Sequence, residues 1–301
     1  MSNLPEFLIE ELNKQYGEEI TNKILEGYSK NRYTSLRTNT LKSDIQTVCK
    51  ELLKNNIEFE KVSWSDTALV IKNANEQNIK KLTVYEEGKI YFQSLSSMLP
   101  PIILNPVEGN DILDMTAAPG GKTTQIAAIT NNKANITACE MNNIRADRLK
   151  YNLDKQGATS VMVLREDSRN LSDYFSFDQI LLDAPCSGSG TIRLNDERTY
   201  KNFSEKLVEK STKSQLILLR KALKILKPGQ EMVYSTCSIL SKENENIINK
   251  ILEETNSQIV PINFEGMEKI SLLPCKIDGA LCVAPNEYYE GFFVAKIKKL
   301  K

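Results

Sequence analysis

From residue 86 onward the chain alternates short apolar segments with helical segments, and this pattern limits the folds open to it. Candidate strands lie at residues 111–115, 135–141, 161–167, 177–185 and 231–238. Helical spacing of apolar residues predicts helices over residues 123–130, 143–157, 204–226 and 242–254. Strands separated by helices indicate a doubly wound, mostly parallel α/β sheet, whose ligand site lies at the carboxyl ends of the strands.

The preceding residues have a different pattern. Residues 4–30 show apolar positions at helical spacing, which predicts one or two short amphipathic helices. Strand-like segments at 35–39 and 68–71 flank a helical stretch near 45–55, which indicates a small α+β unit. A chain of 301 residues is long enough for both parts. We therefore predict two domains, residues 1–85 and residues 86–301.

The absence of histidine excludes Ser-His and Cys-His nucleophile pairs and histidine metal sites. Six cysteines without paired spacing predict free thiols rather than disulfides or a zinc site, so no metal is expected. The first 15 residues lack a signal-peptide pattern, and no apolar run is long enough to span a membrane. We expect a cytoplasmic protein without a membrane partner, and we take it to be a monomer.

A glycine turn follows the first strand of the alternating region. The sequence TAAPGGK permits a tight turn and close approach of the backbone to a ligand before a helix begins. It has neither the GxGxxG spacing of dinucleotide sites nor the spacing of a phosphate-binding loop, and a structural turn without a ligand stays an alternative. The residues are Thr116, Ala117, Ala118, Pro119, Gly120, Gly121 and Lys122.

Three acidic residues end successive predicted strands. Glu140 ends the second strand, where a carboxylate binds ribose hydroxyls in this class of fold. Asp167 ends the third strand, within reach of an adenine amino group, and Asp183 ends the fourth. A single carboxylate at a strand end is commonly a helix cap or a solvated turn. Three at one edge beside a glycine turn indicate a ligand site.

Two thiols fall at adjacent strand ends beside this predicted site. Cys186 lies in DAPCSGSG after the fourth strand, and Cys237 lies in YSTCS at the end of the fifth. A lone buried cysteine usually acts as a small apolar residue. Here both thiols lie in polar, turn-forming sequence at the predicted catalytic edge, which favours a chemical role.

Together, the motifs TAAPGGKTT, LLDAPCSGSG and YSTCSILSKENE resemble those of the RsmB/NOP2/Sun family of S-adenosylmethionine-dependent RNA cytosine-5 methyltransferases. IYFQSLSSMLP (residues 90–100), RYTSLRTNTLK (32–42) and EGFFVAKIKK (290–299) resemble the family's pre-catalytic, RNA-contacting and terminal-strand segments. The resemblance covers essentially the whole chain. It implies a Rossmann-like class I methyltransferase domain, with a mostly parallel seven-stranded sheet, preceded by a small α+β RNA-binding domain. Because the terminal-strand segment ends near residue 301, no separate carboxyl-terminal RNA-binding domain is expected.

The resemblance also assigns roles. Carbon 5 of cytosine is a poor nucleophile, so a thiolate must first add to carbon 6. Cys237 resembles the family's nucleophile, Cys186 the residue that assists release, and Asp183 the carboxylate that holds the cytosine, with Lys122 assisting electrostatically. Relatives commonly have Cys at position 116, where we expect the backbone rather than the Thr116 side chain to contact the ligand. The implied cofactor site comprises Thr116, Ala117, Ala118, Pro119, Gly120, Gly121, Lys122, Glu140, Arg145, Asp167 and Asp183.

The target base must leave its stack, which predicts single-stranded or loop RNA, or a flipped base, as substrate. With 39 basic and 39 acidic residues, any basic surface must be local. Residues 28–42 contain four basic and no acidic residues, and Tyr33 is either a stacking or a core residue. The candidate RNA contacts are Lys30, Arg32, Arg37 and Lys42.

Ribosomal RNA of the small subunit is the first expected substrate and transfer RNA the second, by family analogy. Two alternatives stay open. A DNA cytosine methyltransferase would use the Pro-Cys thiol of Cys186 as nucleophile, and a non-catalytic assembly factor that binds S-adenosylmethionine and RNA would need neither thiol.

Overall fold

The computed structural model describes residues 4–301, so residues 1–3 of the predicted first domain lie outside the described residues. Helix α1 (Glu6–Ser29) is kinked at Gly17, whose φ of 76° divides it into two segments, as the sequence allowed. Its buried Leu8, Leu12 and Tyr28 belong to the same apolar core as the sheet of the second domain. Helix α1 therefore packs on the domain of residues 86–301, which we call the larger domain, rather than on the four-stranded sheet that follows α1.

A four-stranded antiparallel sheet follows α1, and we call it the small sheet. Its strands are β1 (Thr34–Thr38), β2 (Phe59–Lys61), β3 (Ala68–Ile71) and β4 (Ile90–Phe92), in the order β2-β3-β1-β4. Helices α2 (Ile45–Lys54), α3 (Glu76–Ile79) and α4 (Thr83–Glu86) connect them. The side chain of Asp44 accepts a hydrogen bond from the Thr47 backbone N–H and caps α2. Because β4 pairs with β1, this sheet extends past the boundary predicted between residues 85 and 86.

The second sheet contains the predicted parallel strands. They are β5 (Asp111–Asp114), β6 (Asn135–Cys139), β7 (Val161–Leu164), β8 (Phe177–Asp183) and β9 (Leu226–Thr236). Strands β10 (Ser257–Val260), β11 (Leu281–Val283) and β12 (Phe292–Lys299) complete it. Within residues 4–301, seven strands lie side by side in the order β10-β12-β9-β8-β5-β6-β7, and β11 pairs with β12 beside them.

Strands β5 to β9 pair in parallel, whereas β12 runs antiparallel to β9 and to β10. The crossovers are α6 (Gly121–Ile129), α7 (Asn143–Gln156) and α8 (Glu205–Ile225), with α5 (Leu95–Leu104) before β5 and α9 (Glu245–Glu254) after β9. Short 3-10 helices span Ser168–Asn170, Ser189–Thr191, Glu197–Thr199, Ser241–Glu243 and Met267–Lys269. Each predicted strand and helix of this domain is present, and the predicted fold class is confirmed.

The sheet is covered by helices and buried on both faces, which explains why its central strands are almost wholly apolar. Ile112 and Leu181 pack in one apolar core, and Leu113 and Leu182 pack in the other. Alternate residues of each strand thus point to opposite faces. Because the parallel strands end at the same edge, the polar segments that follow β5, β6, β7, β8 and β9 converge there.

Candidate active site

A cavity of about 300 Å³ lies at this edge, and we call it the first cavity. Residues that follow all five parallel strands line it. They include Thr116, Ala118, Glu140, Arg145, Asp167, Asp183, Cys186 and Cys237. The structure therefore brings together the predicted acids, the two thiols and part of the glycine turn.

The glycine turn is attached to the sheet by a backbone hydrogen bond. The Ala117 N–H donates to the Cys139 carbonyl at 2.9 Å, and Gly120 has a φ of 107°, in the region that favours glycine. A Cβ atom at Gly120 would lie 2.9 Å from the side chain of Leu149, so this residue shapes the turn and packs on α7. The Thr116 hydroxyl donates to the Asp183 carbonyl at 2.7 Å, and so it joins the ends of β5 and β8.

Two of the three acids, Glu140 and Asp167, pair with arginines in different surroundings. Glu140 is buried, accepts a hydrogen bond from the Asn142 N–H at 2.8 Å and lies 3.3 Å from Arg145. Arg145 also donates to the Ala118 carbonyl at 2.9 Å, so it ties Glu140 to the glycine turn. Asp167 pairs with Arg169, whose hydrogen bonds hold the pKa of this carboxyl below its ordinary value.

The thiols of Cys186 and Cys237 face each other with sulfur atoms 2.8 Å apart, and both cysteines are free. The hydrogen bond with Cys237 and burial together raise the pKa of the Cys186 thiol well above its ordinary value. Cys186 is therefore a protonated thiol at neutral pH, able to donate its S–H to the sulfur of Cys237.

Buried Glu243 joins the two segments that carry the thiols. Its carboxylate accepts hydrogen bonds from the Ser187 N–H at 2.7 Å and from the Ser238 hydroxyl at 2.6 Å. The Gly190 N–H donates to the Cys237 carbonyl at 3.0 Å. A Cβ at Gly190 would lie 1.8 Å from the Gly291 carbonyl oxygen, so a larger residue there would push the segment that follows Cys186 away from the residue that precedes β12.

Asp183 and Lys122 form a second polar group beside Cys237. The Lys122 ammonium donates to Asp183 Oδ2 at 2.7 Å and to the Ser97 hydroxyl at 2.7 Å. Ser235 donates to Asp183 Oδ1 at 2.8 Å. The carboxylate is thus oriented through both oxygens.

A further cavity of about 330 Å³, the second cavity, lies between this edge and the small sheet. Its wall includes Tyr91, Ser97, Lys122 and Phe292, together with Ala117, Pro119 and Gly121 of the glycine turn. Thr116, Ala118, Asp183 and Cys237 line both cavities, whereas Cys186 lines the first. The nucleophile candidate and the oriented carboxylate therefore lie where two separate spaces meet.

The predicted RNA contacts lie in quite different environments. Arg37 is 2% exposed and donates to Gln93, the Gly121 carbonyl and Thr124, so this arginine cannot reach an RNA phosphate. The side chain of Arg32 is 5% exposed and donates to backbone carbonyls of residues 190–192. Neither arginine is therefore the exposed RNA contact that the sequence predicted, because each guanidinium donates to acceptors of the larger domain.

Lys42 donates to the carbonyls of Glu87 and Lys155, and exposed Lys30 pairs with Glu26 at 3.0 Å. Tyr33 is 37% exposed and is therefore not a core residue.

Sequence reasoning missed Ser97, Asp114, Ser235 and Glu243. Asp114 and Ser235 lie at strand ends like the acids that were found, but Ser97 comes from α5, and no sequence signal joined it to Lys122.

Within residues 4–301, no helix is long and apolar enough to cross a membrane. Over the same residues, no group of three or more Cys, Asp or Glu side chains is arranged to hold a metal ion.

The mostly parallel sheet, the glycine turn after β5 and the acids at successive strand ends define a Rossmann-like class I methyltransferase fold. Residues 101–298 match the family described as 16S rRNA methyltransferase RsmB/F, and residues 4–78 match the ferredoxin-like domain of RsmF/B-like methyltransferases. The chain belongs to this family of RNA methyltransferases, which confirms the family predicted from its motifs.

Similar proteins agree with this assignment. The chain is 37% identical over 273 residues to ribosomal RNA small subunit methyltransferase F of Shewanella piezotolerans, with 88% of this chain and 57% of the relative covered. It thus spans little more than half the length of that relative. A methyltransferase homologue from Pyrococcus horikoshii is 31% identical, with a TM-score of 0.82 and 99% and 100% of the two chains covered. NSun6 from the same organism, solved with SFG, has the same fold at 22% identity, with a TM-score of 0.88 and 99% and 98% covered.

Proposed function

We propose that the protein transfers a methyl group from S-adenosylmethionine to carbon 5 of a cytosine in RNA, through a covalent adduct on Cys237. One observation carries the proposal: Cys237 and Asp183 line both cavities at the strand edge. This methyl transfer needs the cofactor and the base in adjoining spaces, with the attacking thiol within reach of carbon 6 and an open path from the methyl group to carbon 5.

The first cavity fits the cofactor. Its wall has carboxylates from Glu140, Asp167 and Asp183 and apolar surface from Met115 and Leu218, which suits a cationic ligand with ribose hydroxyls and an adenine ring. In this proposal Glu140 accepts the ribose hydroxyls and Asp167 lies toward the adenine. Thr116, Ala118 and Arg145 line the same cavity. When bound, S-adenosylmethionine supplies an electrophilic methyl group on a sulfonium.

Cys237 adds through its sulfur to carbon 6 of the cytosine in the second cavity, and the ring electrons shift toward carbon 5. Asp183 accepts the thiol proton of Cys237 and passes it to the ring nitrogen beside the amino group. Lys122 and Ser235 keep the oxygens of Asp183 oriented for this transfer. After carbon 5 is methylated, its proton must leave and the sulfur–carbon bond must break. Addition at Cys237 removes the thiol that raises the pKa of Cys186. Cys186 can then release its own proton to water and, as a thiolate, accept the carbon 5 proton while the Cys237 sulfur leaves as a thiolate.

The proposed substrate is RNA of the small ribosomal subunit, because the curated relatives are named for it. The domain proposed over residues 1–85, which contains strands β1 to β3 of the small sheet, would bind RNA next to the methyltransferase domain of residues 86–301. Transfer RNA is the second candidate substrate.

The test compares the wild type with Cys237→Ala and Cys186→Ala. Each protein is incubated with S-adenosylmethionine and, separately, total RNA and duplex DNA. 5-Methylcytosine is measured by mass spectrometry, and nucleic acid linked to the protein is detected on a denaturing gel. We expect Cys237→Ala to give neither product nor adduct, and Cys186→Ala to accumulate an RNA adduct because release fails.

Other outcomes separate the alternatives. Full activity of Cys237→Ala with an inactive, adduct-free Cys186→Ala would assign attack to Cys186, and product on DNA alone would indicate a DNA methyltransferase. A wild type that binds S-adenosylmethionine and RNA but methylates neither nucleic acid would be a binding factor.

A further inference from the structure

A third cavity, of about 250 Å³, lies beside the second cavity at the boundary between the small sheet and the larger domain. Phe92, Gln93, Ser94 and Glu290 line both, so the two spaces adjoin along one wall. Most side chains around the third cavity are polar, and they come from both domains. Such a wall suits a charged, hydrated ligand better than an apolar one.

Two arginines of this cavity have different roles. The buried Arg32 donates to the Ile192 carbonyl at 3.1 Å and lies 3.6 Å from Glu290, so it builds the wall and neutralises that carboxylate. Its Nε is buried without a hydrogen-bond partner among the described residues. Arg193 is 46% exposed, and its guanidinium lies 3.9 Å from Glu290, at the outer limit of an ion pair. Its charge is therefore available to an anion.

An aromatic pair forms another part of the wall. The rings of Tyr33 and Tyr288 lie 5.3 Å apart, and the Lys72 ammonium lies 4.0 Å and 4.5 Å from their centres. Lys72 also donates to the Tyr288 hydroxyl at 2.8 Å, which holds this ring in place. Tyr33 is the exposed ring of the pair, and an exposed aromatic ring beside a basic side chain is a feature by which proteins bind single-stranded RNA.

We propose that the third cavity binds the RNA nucleotide next to the cytosine that is methylated. Its base stacks on Tyr33, and its phosphate pairs with Arg193. The inference rests on the proposed function, because it takes the second cavity as the site of the target cytosine. A nucleotide joined to a flipped base must lie in an adjoining space, and the third cavity adjoins the second.

The test measures RNA binding without methylation. A short, fluorescein-labelled single-stranded RNA of mixed sequence is titrated with the wild type, Tyr33→Ala, Tyr33→Phe and Arg193→Gln at several salt concentrations, with anisotropy as the readout. Tyr33→Ala should weaken binding about 5-fold to 150-fold, whereas Tyr33→Phe should keep the affinity. Arg193→Gln should reduce the slope of log K against log salt by about 0.7.

Arg165→Gln and Tyr174→Ala are matched controls. Arg165 is 45% exposed, like Arg193, but pairs with Asp147 away from these cavities, and Tyr174 is 98% exposed. Both should bind RNA as the wild type does. Unchanged affinity and slope for Tyr33→Ala and Arg193→Gln, in a wild type that binds and methylates RNA, would overturn the inference alone. A wild type that does not bind RNA would overturn the proposed function as well.

Discussion

Asp114 lies beneath the glycine turn, and it shows how burial acts on a single charge. It is 1% exposed and accepts a hydrogen bond from the Thr123 hydroxyl at 2.7 Å. Burial raises the pKa of Asp114 to about 6, against the lowering effect of that hydrogen bond. The ionised carboxylate therefore costs free energy in the folded state above that pH.

We predict that Asp114→Asn becomes more stable relative to the wild type as pH rises. The folded state of the wild type binds a proton more tightly than the unfolded state, so this group stabilises the protein at low pH and loses that effect as pH rises through about 6. Between about pH 4.5 and 7.5, the difference in unfolding free energy should change by about 2 kcal/mol in favour of the variant. Urea unfolding of both proteins at the two pH values measures it. A difference that stays constant with pH would contradict the raised pKa.

At the scale of elements, Arg37 connects β1 to the start of α6. Its guanidinium donates to Gln93 Oε1 at 2.9 Å, to the Gly121 carbonyl at 3.1 Å and to the Thr124 hydroxyl at 2.6 Å. Burial lowers the pKa of Arg37 to about 10, so the charge itself is costly. Arg37 stabilises the fold because it donates hydrogen bonds to buried acceptors behind the glycine turn.

We predict that Arg37→Met lowers the free energy of unfolding by about 2 kcal/mol, because three acceptors lose their donor while the cost of a buried charge disappears. Lys30→Ala, which removes an exposed ion pair with Glu26, should leave the free energy of unfolding essentially unchanged. Urea unfolding of the wild type and of the two variants measures these changes in the free energy of unfolding. If Arg37→Met instead lost RNA affinity at unchanged stability, Arg37 would be an RNA contact as the sequence suggested.

These arginines also show what a sequence can and cannot reveal. The apolar strands of the larger sheet were predictable because burial on both faces leaves a continuous apolar run, and the acids and thiols at their ends followed from the shared edge of a parallel sheet. Whether Arg32 and Arg37 face solvent depends on carbonyls that lie 84 to 160 residues away in the chain. The same holds for β4, whose place in the small sheet depends on its pairing with β1.

At the scale of the whole molecule, the small sheet and the larger domain are joined by buried polar contacts on several sides. The Asn39 amide donates to the carbonyls of Gly88 and Gln156, at 2.9 Å and 2.7 Å. Helix α1, which precedes the small sheet, also packs closely on the larger domain, because a Cβ at Gly27 would lie 1.9 Å from the Pro285 carbonyl oxygen. Contacts of this kind favour unfolding of both parts in one transition.

The single tryptophan of the sequence allows a test of whether both parts unfold in one transition. Trp64, between β2 and β3, is buried, and its indole N–H donates to the hydroxyl of Tyr289 in the larger domain at 2.7 Å. Trp64 fluorescence thus reports on the boundary, whereas far-ultraviolet circular dichroism reports on the whole chain. We predict that both probes give the same urea midpoint, and that Tyr289→Phe lowers the unfolding free energy by about 1 kcal/mol while the two midpoints stay equal. A fluorescence transition at lower urea would mean that the small sheet separates first. The second and third cavities, which residues of the small sheet help to line, would then be lost before the methyltransferase fold.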